Sequence, residues 1–377
     1  MAKYILHSII PTLRVPEPIS CGPIVFCTTQ HLADYAIEPD VDAETVKKIA
    51  TSFRDAFGKP LEYIGLELVP TDTAARLAEE SLGRVSRDAL AMSFITGGAA
   101  QNSHREQRVA VHETDYFDVL PVLLRDDGLV INRPGLLSYN NTSSLDRFQP
   151  SLRIDIGIPS ESDFKLDTML FSAFSKAVEA TLAGQYLQQL RQIYRAVAIS
   201  LWGCRILHET DTTFYDLTTR IGAWVSAFET LVHPDSGRVG INHVLNLVDE
   251  VTWFDERLVE KSFPSNSSEN ANGLENAPAY LYRSLYGLRN DLAHGNPIVR
   301  GRFAARCDSA EGARIDEVIP LLFRECLLQQ LRNIGVINRV IQNPQDYDSI
   351  RESVSHTLRA MDYHEALADA MFGDGEA

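Results

Sequence analysis

Over the first 160 residues, hydrophobic positions come in short runs, several alternating with polar positions at the two-residue period of a half-buried strand. Residues 4–10, 23–28, 61–69, 108–112, 117–124 and 151–158 fit this description. Most are rich in β-branched or aromatic side chains, which predicts strands. Residues 43–57 and 73–82 space their apolar side chains by three and four and predict amphipathic helices, the first with Asp40 and Asp42 as N-cap candidates. Gly, Asn and Ser mark 97–103 and 139–144 as surface loops. The mixture predicts an α+β domain over residues 1–165.

From 166 to 377 the period turns helical and stays so. Helices are expected over 166–183, 185–207, 213–232, 241–251, 280–293 and 317–341, with a weaker one to about 370. Gly184 reads as the break between the first two. Residues 261–276, KSFPSNSSENANGLEN, are too rich in Ser and Asn to bury much, and predict a flexible loop inside an otherwise all-α bundle.

Composition narrows the function. The chain has 377 residues, 45 % hydrophobic and 23 % charged, the balance of a folded protein with two domains. Its longest apolar runs fall far short of the roughly 20 residues that cross a bilayer, so no membrane partner is expected. Five scattered cysteines suit reduced thiols, and cytoplasmic residence, better than a disulfide framework. A net charge of −16 argues against non-specific coating of nucleic acid. A local basic cleft is still open to it, because association follows the field near the site. Cys21 and Cys27 are too far apart for a zinc pair, and His112 and His208, each followed by Glu and Asp, lack the two-His helical spacing of a zinc hydrolase. Neither a metal nor a cofactor is expected.

The segment YLYRSLYGLRNDLAHGNPI, 280–298, carries the most information. Leu281, Leu285, Leu288 and Leu292 form one apolar stripe, and Gly295 with Pro297 stops the helix, leaving His294 at its C-terminal boundary. At about 100° per residue, Arg289 lies on the flank of the stripe. Arg and His stand five positions apart four times in this chain, so the spacing alone says little. Only Arg289 and His294 add a following Asn, a leucine-striped helix and a Gly-x-Pro stop. From 281 to 306 there are five Arg (Arg283, Arg289, Arg300, Arg302, Arg306) against one Asp, so 5 − 1 = +4 on an acidic chain. Arg283, Arg300 and Arg302 are therefore candidates for substrate binding, unless nearby carboxylates take up their charge. Tyr282 and Tyr286 flank the motif at helical spacing. Packing on the neighbouring helix is the expected role, and Tyr286 is a candidate for stacking on a base.

Arg289-Asn290-Asp291-Leu292-Ala293-His294 resembles the motif of HEPN domains (higher eukaryote and prokaryote nucleotide-binding), in particular the Apea-like branch. AWVSAFETLVHP, 223–234, is similar to the helix in which that branch carries a Glu followed by an apolar pair, here Glu229. The likeness covers roughly 167–342, under half the chain. It implies a helical bundle that cuts RNA without a metal, in a composite site between two copies of the chain. Arg289 and His294 would then be the catalytic pair. Asn290 would hold the His or a phosphate oxygen, and Glu229 would orient Arg289 or tie the two helices together.

The residue types suit that chemistry. RNA carries its own nucleophile in the 2′-hydroxyl, an imidazole moves protons near neutral pH, and a guanidinium stabilises phosphoryl charge without losing its proton. The expected product is a 2′,3′-cyclic phosphate. The resemblance further implies a regulated toxin or antiphage effector, its trigger a protein or phage-derived molecule read by residues 1–165. Two alternatives stay open: a non-catalytic HEPN module that binds RNA or nucleotide, and a protein-interaction adaptor.

Overall fold

The computed structural model describes residues 2–10, 13, 15–38, 64–103, 120–125, 128–131, 166–204, 214–234, 237–264, 273–305, 313–338 and 347–373. Two units are distinguished: Met1–Ala91 with His112–Phe164 and Phe174–Gln185, and Met92–Val111 with Lys165–Ala173 and Tyr186–Ala377. The first carries a β-sheet; the second is almost entirely helical.

In the first unit the strands are β1 (Lys3–Ile10), β2 (Ile19–Cys21), β3 (Ile24–Thr28), β4 (Ala36–Ile37), β5 (Gly65–Pro70), β6 (Leu120–Arg125) and β7 (Gly128–Ile131). They run in the order β2-β3-β5-β1-β6-β7, every pair antiparallel, and β4 lies parallel to the start of β1. All six residues of β5 are buried, so the central strand is covered on both faces. β2 and β3 turn through a two-residue loop at Gly22 and Pro23. Gly22 takes φ +58, and a Cβ there would stand 2.7 Å from Val178 Cγ1, so the turn needs a residue without one. Two helices follow β5: α1 (Ala74–Glu79) and α2 (Leu82–Ser103).

α2 and α3 (Thr168–Leu182) each divide between the units, α2 passing to the second at Met92 and α3 to the first at Phe174; the second unit further holds α4 (Leu187–Cys204), α5 (Phe214–Leu231), α6 (Ile241–Glu250), α7 (Glu256–Glu260), α8 (Ala277–His294), α9 (Ile315–Asn333) and α10 (Tyr347–Phe372). α4 packs on α5, α5 on α8, and α9 touches α5, α6 and α8. Trp224 and Phe228 of α5 meet Phe323 of α9 at 5.4 and 5.0 Å between ring centres. α9 is buried along most of its length and carries charge inside: Arg324 pairs with Asp167 and Glu325 and lies over the Tyr363 ring at 3.6 Å. His364 accepts from the Phe254 amide at 3.0 Å through Nδ1, which leaves Nε2–H facing Glu325 at 3.4 Å. A buried charge without a partner is costly, and this network supplies partners to each.

The sheet, the helical bundle and most helix positions follow the expectations; four segments differ. Residues 97–103 belong to α2. The Gly97-Gly98-Ala99-Ala100 run reads as a loop by composition, but Met92–Gly98 are all buried, and tertiary packing overrides weak propensity. The single helix expected over 73–82 is broken at Ser81, which takes φ +55. α9 stops at Asn333 instead of continuing to 341, because Gly335 adopts φ +81 and the Val336 and Ile337 amides close back on Leu331. The ends of 261–276 form a hairpin, β8 (Ser262–Pro264) against β9 (Leu274–Asn276). Its strands hold by Phe263 stacking on Tyr280 at 4.5 Å. The expected elements at 43–57, 108–112, 139–144 and 151–158, and the acidic groups after His112 and His208, lie outside the described residues. Among the described residues no helix is long and apolar enough to cross a membrane.

Candidate active site

The motif helix α8 is fixed at both ends by its own sequence. Asn276 caps the N-terminus, its Oδ1 accepting from the Ala279 amide at 3.0 Å, and Pro278 follows in the first turn, where no helical N–H is needed. At the other end Gly295 takes φ +69 and its amide closes on Leu292 at 3.3 Å, while Asn296 N–H reaches Asp291 O at 2.9 Å. Between the caps, Leu281, Leu285, Leu288 and Leu292 are buried as the stripe requires. Each contributes about 1.5–3 kcal/mol by leaving water.

Arg289 sits on the flank of that stripe. Its Nη2 donates to Glu229 Oε1 of α5 at 3.0 Å, and its guanidinium lies 4.6 Å from the centre of the Tyr286 ring. Both partners are part-exposed, 31 % for Arg289 and 22 % for Glu229, so the pair borders the core with an edge to solvent. Burial pushes the Glu229 carboxyl up, and the Arg289 charge offsets this only in part. Beneath them Tyr282 is fully buried against Phe228 (5.0 Å) and Tyr286 (6.4 Å), and its hydroxyl has no hydrogen-bond partner among the described residues. Tyr282 is a packing residue, and Tyr286 is the platform under the guanidinium.

The other candidates fall into place around this pair. Arg283 donates to both oxygens of Glu275 at 2.8 Å, and Arg302 to Asp291 Oδ2 at 2.7 Å. With Glu229 on Arg289, three of the five counted arginines have carboxylate partners, two of which, Glu229 and Glu275, lie outside the counted window. The local +4 therefore overstates the field. The Asn296 amide and the Arg302 guanidinium together hold the Asp291 carboxyl below its usual range. Arg300 opens a short 3-10 turn, Arg300–Phe303, and Arg306 is outside the described residues. Asn290 is part-exposed on α8.

His294 is the last residue of α8 and is exposed. Because the helix runs through it, helical geometry sets Arg289 and His294 about 140° apart around the axis and roughly 7.5 Å along it. The Gly295 stop comes one residue too late to fold His294 back toward Arg289. Within one chain the guanidinium and the imidazole serve different faces. Glu275 and the Asp291 cluster were not singled out by sequence. Glu275 lies eight residues before Arg283 across a helix cap, a spacing that no helical periodicity signals. Compared with protein-family models, with curated proteins and with solved structures, the chain matches none.

Proposed function

We propose that the helical unit is a metal-independent endoribonuclease of the HEPN type, in which Arg289 and His294 are the catalytic pair. The reading rests chiefly on one observation: a part-exposed guanidinium held by Glu229 and laid on Tyr286, on the same helix as an exposed terminal His294. Since the two side chains serve different faces of α8, the proposal takes Arg289 from one copy and His294 from a second.

In the proposed reaction His294 accepts the proton of the RNA 2′-hydroxyl, whose oxygen then bonds to the adjacent phosphorus. The 5′-oxygen leaves, taking a proton, and a 2′,3′-cyclic phosphate remains. Arg289 stabilises the charge that builds on the non-bridging oxygens. Glu229 and the Tyr286 ring keep the guanidinium in place beforehand, which avoids reorganisation at the reactive moment. Asn290 donates to a phosphate oxygen, and Arg283, Arg300 and Arg302 line the approach of the strand. The wider role proposed is a cytoplasmic toxin or antiphage effector, triggered through residues 1–165.

A second reading has its own support. Arg283, Arg289 and Arg302 all have carboxylate partners, as a HEPN module that binds RNA or nucleotide, or only another protein, would tolerate. The two separate on one experiment: purified protein with mixed RNA in excess EDTA, wild type beside Arg289→Ala and His294→Ala. The nuclease reading expects cleavage by wild type alone and 2′,3′-cyclic phosphate ends. Retention of RNA without cleavage supports the binding module, and products with 5′-phosphate ends rule out the proposed chemistry.

A further inference from the structure

A polar cluster in the first unit takes no part in this chemistry. β1 carries one extra residue where it pairs with β5: Leu6 faces Leu68, and Ser8, not His7, faces Glu67. In a regular strand neighbouring side chains point to opposite faces, whereas this bulge gives His7 and Ser8 to the same carboxylate. His7 Nδ1 lies 3.0 Å from Glu67 Oε2, Ser8 Oγ donates to the same oxygen, and Arg87 Nη1 of α2 donates to it at 2.7 Å. Glu67 Oε1 is buried with no hydrogen-bond partner among the described residues. Burial would push the Glu67 carboxyl up, but the His7 hydrogen bond and the Arg87 charge outweigh it and hold the group below its usual range.

Charge balance explains only part of this arrangement. One cation neutralises one buried carboxylate, and Arg87 does that. His7 is the surplus, yet it too is held in place. A Cβ on Gly83 would stand 2.8 Å from His7 Cε1, so this glycine of α2 makes room for the ring. With Nδ1 turned inward and 44 % of the side chain exposed, the Nε2 edge faces outward. Arg87 keeps 16 % exposure, and its Nε and Nη2 make no hydrogen bond among the described residues. The neighbouring charges on that turn of α2, Arg84 and Asp88, pair with each other at 3.5 Å.

We propose that His7 and Arg87 form a binding site for an anionic ligand of the phosphate class, with Glu67 as the positioning residue that orients both. Arg87 Nη1 also stands 3.3 Å from His7 Nδ1, so the guanidinium and the imidazole lie side by side over the one carboxylate. The guanidinium fork fits carboxylate and phosphate alike, and the added imidazole donor favours a tetrahedral oxyanion, which has a further oxygen to accept from it. The site goes beyond the nuclease reading and involves neither Arg289 nor His294, so either can fail without the other.

The test titrates inorganic phosphate into the full chain, labelled with 15N-histidine, at about pH 6, below the ordinary imidazole pKa. The proposal expects a saturable shift of a single histidine's ring nitrogens, assigned to His7 by its loss in His7→Gln. The Gln amide still donates to Glu67, and an unchanged melting curve shows that the fold is kept. Arg87→Lys retains the charge on Glu67 but loses the fork, and weakens binding at least tenfold. Sulfate competes with phosphate, and acetate at the same concentration does not. The proposal is overturned if phosphate produces no saturable shift, if the shifting signal persists in His7→Gln, or if acetate competes as well as sulfate.

Discussion

From the flank of the leucine stripe Arg289 makes two contacts of different kinds: a charged hydrogen bond to Glu229 and the face of Tyr286. Its Nε is buried with no hydrogen-bond partner among the described residues, so the Glu229 oxygen carries much of the work of keeping the guanidinium in place. Glu229→Ala should therefore cost about 1 kcal/mol of stability, since part of the pair is solvent-screened. It should also lower cleavage about tenfold or more. Glu229→Gln retains an acceptor for Nη2 and should keep most of both. Thermal unfolding and the cleavage rate check the pair of variants; equal losses in Ala and Gln would show that charge, rather than orientation, is what Glu229 supplies. The partnership was legible in sequence only through the HEPN resemblance, because residues 60 apart leave no local signal. Glu67 with His7 and Arg87 had no signal at all, since a bulge cannot be read from an apolar run that happens to contain a His.

At the scale of elements, glycine positions give a test with opposite signs. Gly295 ends α8 at φ +69 with open space around its Cβ direction, so Gly295→Ala costs only backbone strain, about 1 kcal/mol. Gly222 lies inside α5 without positive φ, also in open space, so Gly222→Ala should stabilise by about 0.5–1 kcal/mol. Urea unfolding of both variants measures this, and a loss in each would mean that Gly222 is kept for packing. α8 was readable at its C-terminal end, where stripe and stop agree in its sequence, but it begins at Ala277, three residues before the expected start, on a cap that the sequence reading placed in a loop. α2 was not readable, as its Gly-Gly-Ala-Ala stretch looks like a loop until burial is known. At the ends of 261–276, Ser and Asn content hides a short strand pair whose last two residues, Glu275 and Asn276, anchor Arg283 and cap α8.

For the whole molecule, two buried carboxylates in different units set the acid limit. Burial opposes ionisation of Glu67 and Glu325, but His7 with Arg87, and Arg324 with His364, outweigh it and depress both. A carboxyl whose folded value lies below its unfolded one stabilises the protein above the unfolded value, about 4.3, and loses that contribution as pH falls through the folded value. Stability should thus hold down to about pH 5 and fall steeply below about 4, read by denaturant midpoints across pH; a flat profile to pH 3 would contradict the pairing. Cys21, Cys27, Cys204 and Cys326 are buried, and burial pushes the Cys21 and Cys27 thiols up to about 12. These four should resist a thiol reagent until the protein unfolds, and rapid modification of all five cysteines in the native protein would contradict their burial. The shared site is tested by mixing purified Arg289→Ala and His294→Ala chains, after mild dissociation and reassociation, and assaying RNA cleavage in EDTA. If each site joins Arg289 of one copy to His294 of another, random pairing restores one intact site in half of the dimers, about a quarter of wild-type activity from two inactive parents. A mixture as inactive as its parents, beside an active wild type, would contradict the shared site, and a wild type that cuts no RNA either purified or overexpressed in cells would contradict the nuclease itself.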